Sequence, residues 1–159
     1  MIHRPLNPSL LVLGLLLGCG AAQGPGATDL RSITEQRAIE IIHEAATDSG
    51  ATAAGTIMVQ LQEGEFEVDV RIEGSEFGLE WISAQDRADS PSLPEMPPSG
   101  QLQIVNGQDG VQVLMLDSRA YRYDPDRGRV QGGATSVGDA EARLRRDVRD
   151  FLVYAGLAH

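Results

Sequence analysis

The stretch GEFEVDVRIEG, residues 64–74, decides the fold class, because apolar and polar side chains alternate along it without a break. The apolar positions that share one face are Phe66, Val68, Val70 and Ile72. Alternation with a period of two is typical of a half-buried antiparallel strand with one solvated face. Residues 64–74 are therefore predicted to form one strand of an antiparallel sheet.

The flanking sequence predicts further strands, joined by short turns that favour antiparallel neighbours. The run VQVLML, residues 111–116, is apolar on both faces and is expected to be a buried central strand. It follows the turn between Asn106 and Gly110. Together the segments predict a sheet of about six strands, with the remaining strands at 56–62, 77–81, 101–105, 119–123 and 129–131.

Helical patterns lie on either side of these strands. Residues 32–35, SITE, form a capping box, and helical spacing of the apolar residues after it predicts a helix over 33–48. Asp139 is expected to cap a last helix, which Gly156 ends. Its buried stripe is predicted to be Leu144, Val148, Phe151 and Ala155. Segregated helices and antiparallel strands define the α+β class, with both helices packed on one face of the sheet.

The amino-terminal sequence predicts an export signal. The apolar run LLVLGLLLGC, residues 10–19, is too short for a spanning helix, which needs about 20 apolar residues. Its length and its small terminal residues are typical of a secretory signal peptide over residues 1–18. Residues 19–29 are small and polar and predict a flexible tether. Residues 30–159 are then expected to form a single α+β domain, with a Pro-rich loop at 90–100 between its halves.

The end of the signal, Leu16-Leu17-Gly18-Cys19, resembles the lipobox of bacterial lipoproteins. The resemblance implies lipidation of the Cys19 sulfur and cleavage before this residue. Two or three acyl chains hold a protein firmly on a bilayer, whereas one holds it reversibly. Gly20 follows the cysteine where an Asp would mark inner-membrane retention, so the expected location is the outer membrane, facing the periplasm. An ordinary signal, cut near residues 21–23, is the alternative.

Composition limits the chemistry of the domain. The chain has 13 basic residues, all of them arginine, against 23 acidic ones, and a net charge of −10. This balance argues against nucleic acid as a partner. The absence of lysine excludes a P-loop lysine, a Schiff base and a Ser-Lys dyad. With Cys19 as the one cysteine, no disulfide can form within the chain.

No constellation of side chains predicts an enzyme, a metal or a cofactor. Glu40, His43 and Glu44 share a helix face, but a metal site needs more ligands and a solvated face is expected. The turn at 124–128 lacks the third acid and the distal Glu of a calcium loop, and 131–133 lack a phosphate-binding pattern. Surface solvation is also expected for the acidic row Glu63, Glu65, Glu67, Asp69 and Glu73. Ion pairing within the last helix is expected for Arg143, Arg145, Arg146 and Arg149, with Asp147, Glu141 and Asp150 as the respective i,i+4 partners of the first three.

Three aromatic residues are the candidates for partner binding. Trp81, Tyr121 and Tyr123 would anchor a peptide or a lipid if their rings were exposed. Packing in the core or at a sheet edge is the alternative.

Two family resemblances imply rival functions. Residues 34–86, from TEQRAIEIIHEAA through EFEVDVRIEG to FGLEWISAQD, resemble a PepSY-type module, although Asp86-Arg87-Ala88-Asp89 replaces its terminal Asp-x-x-Thr-Gly. This resemblance implies a non-catalytic extracytoplasmic module that binds or restrains another protein. Residues 106–130 resemble the strand pairs of periplasmic carriers of the LolA/LppX kind, which implies a lipid or lipoprotein carrier.

Overall fold

The structure is a computed structural model, which describes residues 29–61, 64–90, 93–98, 100–126 and 135–158. The signal peptide, Cys19 and all of the tether except Asp29 lie outside these residues. Outside them too lie the strand predicted at 129–131, the candidate anion site at 131–133 and Glu63 of the acidic row.

The described residues form three α-helices and nine short strands. In chain order the elements are β1 (Arg31–Ser32), α1 (Glu35–Asp48), β2 (Ala53–Ala54), β3 (Ile57–Leu61), β4 (Gly64–Val68), β5 (Val70–Ile72), β6 (Phe77–Ile82), α2 (Ala84–Asp89), β7 (Gln103–Asn106), β8 (Gln112–Asp117), a 3-10 turn (Ser118–Tyr121), β9 (Arg122–Tyr123) and α3 (Val137–Tyr154). The α+β class, with a helix towards each end, is confirmed.

The main sheet is mixed, so the prediction of a purely antiparallel sheet is wrong. Its strand order is β2-β5-β6-β8-β7, and β6 and β8 run parallel. The predicted hairpin between β7 and β8 is present, and β8 is central as its two apolar faces indicated. As a central strand, β8 has a neighbour on each side. One is β7, and the other is β6, which runs parallel to β8. The long segment between β6 and β7, which includes the Pro-rich residues, gives the chain the length for this crossover.

Two smaller sheets complete the fold, in place of one sheet of about six strands. The hairpin β3-β4 stands apart from the main sheet, and β1 pairs with β9. The predicted strand at 64–74 is broken at Asp69, where β4 ends and β5 begins. The predicted strand at 119–123 is largely a 3-10 turn, because the side chain of Asp117 caps it by accepting from the backbone N–H of Arg119.

The caps explain where the helices begin. Thr34, and not Ser32, caps α1, so this helix starts at Glu35, two residues later than predicted. Ser136 caps α3, and Asp139 is the third residue of the helix, whose side chain completes the capping box, rather than the cap itself. The short helix α2, which the sequence analysis missed, has the same reciprocal box between Ser83 and Asp86.

Two clusters of apolar side chains lie on opposite faces of the main sheet. The helix-side core contains the buried faces of α1 and α3 and the sheet residues Val70, Ile72, Leu79, Trp81, Leu114 and Leu116. The hairpin-side core lies between the main sheet and the β3-β4 hairpin and is built from Val59, Val68, Ile82, Leu93, Val113 and Met115. Both long helices therefore cover one face of the sheet, and the hairpin covers the other.

Candidate functional site

Two of the three aromatic residues predicted to bind a partner are in the core. Trp81 is 1% exposed and Tyr121 is 4% exposed, and their ring centroids are 5.4 Å apart. The hydroxyl of Tyr121 donates to Oδ2 of Asp147 at 3.0 Å. Neither ring presents surface to a partner, so the packing alternative holds for both, because β6 turns Trp81 towards the helices. Tyr123 is partly exposed in β9.

The charged faces of α1 and α3 form ion pairs with one another. Arg37 of α1 makes two hydrogen bonds of 3.0 Å to the carboxylate of Glu141, and Arg145 of α3 reaches Glu44 at 2.9 Å. The predicted pairing of Arg145 with Glu141 is present. These contacts lower the pKa of Glu44, chiefly through Arg145, and that of Glu141, chiefly through Arg37. The helix faces thus hold the two helices together.

Other arginines of α3 differ from their predicted pairing. Arg143 donates to the backbone carbonyl of Ala120, and Arg146 contacts its neighbour Asp147. In the described part of the chain, no group of three or more His, Cys, Asp or Glu residues has the arrangement of a metal site.

Asp69 departs from the predicted acidic row, although Glu65, Glu67 and Glu73 are exposed as expected. Its side chain turns inward at the break between β4 and β5. The backbone N–H of Trp81 donates to Oδ2 of Asp69 at 2.9 Å, and the backbone N–H of Asp69 donates to Oε2 of Glu80 at 3.0 Å. The two carboxyl groups therefore replace ladder hydrogen bonds at the point where the chain passes from the β3-β4 hairpin into the main sheet.

Glu80 is a buried acid that the sequence analysis missed. It is 5% exposed, and burial followed by the negative charge of Asp69 raises its pKa to about 9. Burial also raises the pKa of Asp69. The available signal was a single Glu inside the apolar run FGLEWI. The pair borders a groove of about 280 Å³ that other acids also line, among them Glu35, Glu67, Asp86 and Asp89.

A second buried acid, Asp117, fixes the Pro-rich segment. Asp117 ends β8 and lies 2.6 Å from Arg87 of α2 and 2.8 Å from Arg119. Burial opposes its ionisation, but hydrogen bonds from Arg119 and the charges of both arginines outweigh burial and lower its pKa. Arg87 also donates to the carbonyls of Leu93 and Pro94. The ion cluster therefore holds the segment after α2 against the sheet.

One surface that is open to a partner is the outer edge of β7. Among the described strands β7 is the last in the main sheet, so no described strand lies along the outer side of its backbone. Hydrogen-bonded pairs alternate along an antiparallel ladder. The N–H of Gly107 donates to the carbonyl of Val111 at 2.7 Å, and the register pairs Val105 with Val113. The N–H and C=O groups of Ile104 and Asn106 are therefore the ones directed away from β8.

A groove of about 560 Å³, with both polar and apolar surface, runs beside this edge. Its walls are the tip of the β3-β4 hairpin and the segment after α2. The residues that line it are Leu61, Gly64, Glu65, Phe66, Ser90, Leu93, Pro94, Ile104, Val105 and Asn106. We call this surface the β7 groove. It combines unpaired backbone groups, apolar walls and one carboxylate.

Comparison with known proteins gives no relative: no family model, no curated protein and no solved structure matches this chain. Among the described helices, none combines the length and the hydropathy needed to cross a bilayer.

Proposed function

We propose that the protein is a lipoprotein of the cell envelope, anchored through Cys19, whose folded domain is a non-catalytic module that binds another protein. The anchor rests on the sequence: a short apolar run ends in Leu16-Leu17-Gly18-Cys19 at the distance from Met1 that an export signal requires. The tether after Cys19 would leave the domain close to the membrane surface on the periplasmic side.

The observation that carries the binding function is the β7 groove. An exposed sheet edge offers hydrogen-bonding groups to a further strand, and most proteins protect such edges with charges, prolines or covering segments. Here the groove continues the edge instead of closing it. Its apolar wall residues include Leu93, which belongs to the hairpin-side core, and Phe66, which packs on that core. A protein partner can use both the backbone groups and the apolar walls.

The carrier function is less well supported. A carrier needs apolar space between the sheet and the elements that cover it. In the described residues the core on the helix side is filled, since Trp81, Phe151 and Leu144 are all buried with at most 1% exposure. A groove of about 440 Å³ remains between α3 and the sheet, but the charged residues Arg143, Arg146, Asp147 and Asp150 line it. The β7 groove is open to solvent along one edge and suits a chain segment better than an acyl chain.

The anchor is tested by expressing the chain and a Cys19→Ser variant in a bacterial host with radiolabelled palmitate. The wild-type chain should take up label and sediment with membranes, and the variant should do neither. A wild-type chain that takes up no label, or whose mature terminus lies after residue 19, contradicts the anchor.

The binding function is tested by photo-crosslinking in the same cells. A photoreactive benzoylphenylalanine is introduced in place of Asn106, beside the groove, or in place of Glu73, which is exposed near the opposite edge of the sheet. One identified envelope protein should crosslink from position 106 and not from position 73. Equal capture from both positions contradicts a specific site, and lipid co-purifying in native mass spectrometry would favour the carrier function.

A further inference from the structure

We propose that the β7 groove binds a basic, extended segment of the partner protein, which adds to the main sheet as a strand beside β7. This inference rests on the proposed protein-binding function and adds the conformation and the charge of the bound segment. It follows from the outward backbone groups of β7, from the face on which the groove lies and from the charge around it.

The backbone geometry defines how the segment pairs. Ile104 and Asn106 direct their N–H and C=O groups outward, and none of the described residues bonds to them from that side. Two residues of an added strand, lying opposite these positions, would each exchange hydrogen bonds with β7. The residue between them would lie opposite Val105 and direct its own N–H away from the sheet.

The side-chain geometry defines what that middle residue is. Val105 packs on the hairpin-side core, so a residue opposite it has its side chain on the same face. On that face the groove offers Leu61, Phe66 and Leu93. The middle residue is therefore apolar and enters the groove. Strand addition of this kind takes its affinity from the backbone and its specificity from such a pocket.

The charge defines the flanking residues and excludes a second copy of this chain. Glu65 lines the groove, and no basic side chain is among the described residues that line it. Glu67 and Glu95 are exposed nearby, on β4 and on the segment whose backbone Gln103 contacts. A segment with Arg or Lys on either side of its apolar residue complements this surface. A second copy would instead add another chain of charge −10.

The experiment uses a fluorescein-labelled heptapeptide, Arg-Arg-Thr-Val-Thr-Arg-Arg, and the full chain in detergent micelles. Its central valine would lie opposite Val105, and its threonines opposite Ile104 and Asn106. N-methylation of both threonines should weaken binding by roughly tenfold or more, because the lost hydrogen bonds face β7. N-methylation of the valine is the matched control and should change the affinity little. Replacing the four arginines by glutamates should abolish binding.

An Ile104→Pro variant provides the test from the protein side. Proline is tolerated on an edge strand where the N–H faces solvent, and here it removes one outward donor. The variant should be less stable than the wild type, because Ile104 packs on the helix-side core, but should remain folded. It should bind the peptide several-fold more weakly, whereas Ile104→Val should bind normally. If Ile104→Pro does not fold, the comparison of the methylated peptides on the wild-type chain still tests strand pairing.

Four outcomes overturn the inference. If the threonine-methylated peptide binds as tightly as the unmethylated one, binding is electrostatic and involves no strand pairing. A dimer in sedimentation that Ile104→Pro dissociates makes a second copy the occupant. Absence of peptide binding, combined with a specific crosslink from position 106, leaves the proposed protein-binding function in place and removes the basic strand. Absence of both the peptide binding and the specific crosslink contradicts the basic strand and the protein-binding function alike.

Discussion

Replacement of Glu80 by glutamine should change how the stability of the protein depends on pH. The carboxyl group of Glu80 is buried, and its pKa is raised from the ordinary 4.5 to about 9. Between these values the folded chain keeps a proton that the unfolded chain releases. The free energy of unfolding therefore falls as the pH rises through this window, and the contribution is complete only below the unfolded pKa.

The size of the effect follows from one retained proton. Each pH unit within the window should lower the free energy of unfolding by up to about 1.4 kcal/mol. Glutamine resembles the protonated acid, can still accept from the N–H of Asp69 and does not titrate. Between pH 6 and pH 8 the free energy of unfolding of the Glu80→Gln variant should therefore rise by about 3 kcal/mol relative to that of the wild type.

The assay is urea unfolding, followed by the fluorescence of Trp81, which is the one tryptophan of the chain and is buried. The assay compares wild type, Glu80→Gln and the control Glu67→Gln from pH 5.5 to pH 8.5, at intervals of roughly one pH unit or less. Glu67 is an exposed acid that lines the same acidic groove as Glu80. The control should follow the wild type. If wild type and Glu80→Gln show the same slope of stability against pH, Glu80 is not protonated in the folded chain and the reasoning is refuted.

Three further substitutions test the core and the ion cluster by the same urea assay. Asp117→Asn should lower the free energy of unfolding by about 3 kcal/mol or more, because two arginines lose a buried partner. In the wild type this contribution is present above pH 3.8 and is lost at lower pH, because the folded chain lowers the pKa of Asp117. An unchanged free energy of unfolding would contradict the role of this ion cluster. Phe151→Ala should cost about 3–5 kcal/mol, since the ring is fully buried and meets Phe77 edge to face at 5.7 Å. Gly78→Ala should cost about 1–3 kcal/mol, since its new Cβ would lie 3.0 Å from Val68 Cγ1 and 3.4 Å from the carbonyl of Val70; wild-type stability would show that the hairpin can shift.

The features that local sequence determines were predictable. Helical spacing and caps placed α1 and α3 to within a few residues, and the turn after Asn106 predicted the β7-β8 hairpin. Three members of the predicted stripe in α3, Leu144, Val148 and Phe151, are buried as predicted. The fourth, Ala155, is the C-cap of the helix and is only partly buried. These features depend on residues close together in the chain, so their pattern is visible without the fold.

The parallel pairing of β6 with β8 was not predictable in the same way. Both segments were correctly predicted as strands. Which strand pairs with β6, however, depends on where the chain returns to the sheet after the Pro-rich segment. The ion cluster of Asp117 with Arg87 fixes that return, and its members are far apart in the sequence. The β7 edge, and with it the candidate site, follows from this choice, because β8 could have ended the sheet instead.

The break at Asp69 shows why regular alternation can hide a change of layer. Val68 and Val70 have the same parity in the sequence, so one continuous strand would place both on one face. In the structure Val68 belongs to the hairpin-side core and Val70 to the helix-side core. The bend between them carries the chain from one layer to the other, and the pattern of apolar residues is the same on both sides of it.

The same bend explains why an acid is buried at residue 80. Where β4 of the hairpin ends and β5 of the main sheet begins, the backbone N–H groups of Asp69 and Trp81 lack the ladder partners that a continuous strand would give them. A buried N–H without a partner costs about 1–3 kcal/mol, so acceptors at this point are worth more than apolar contacts. Carboxyl oxygens from Asp69 and Glu80 supply them. Glu80 would be a solvated position if the sheet had one open face. It is buried because the β3-β4 hairpin, which ends at the bend, lies over this face.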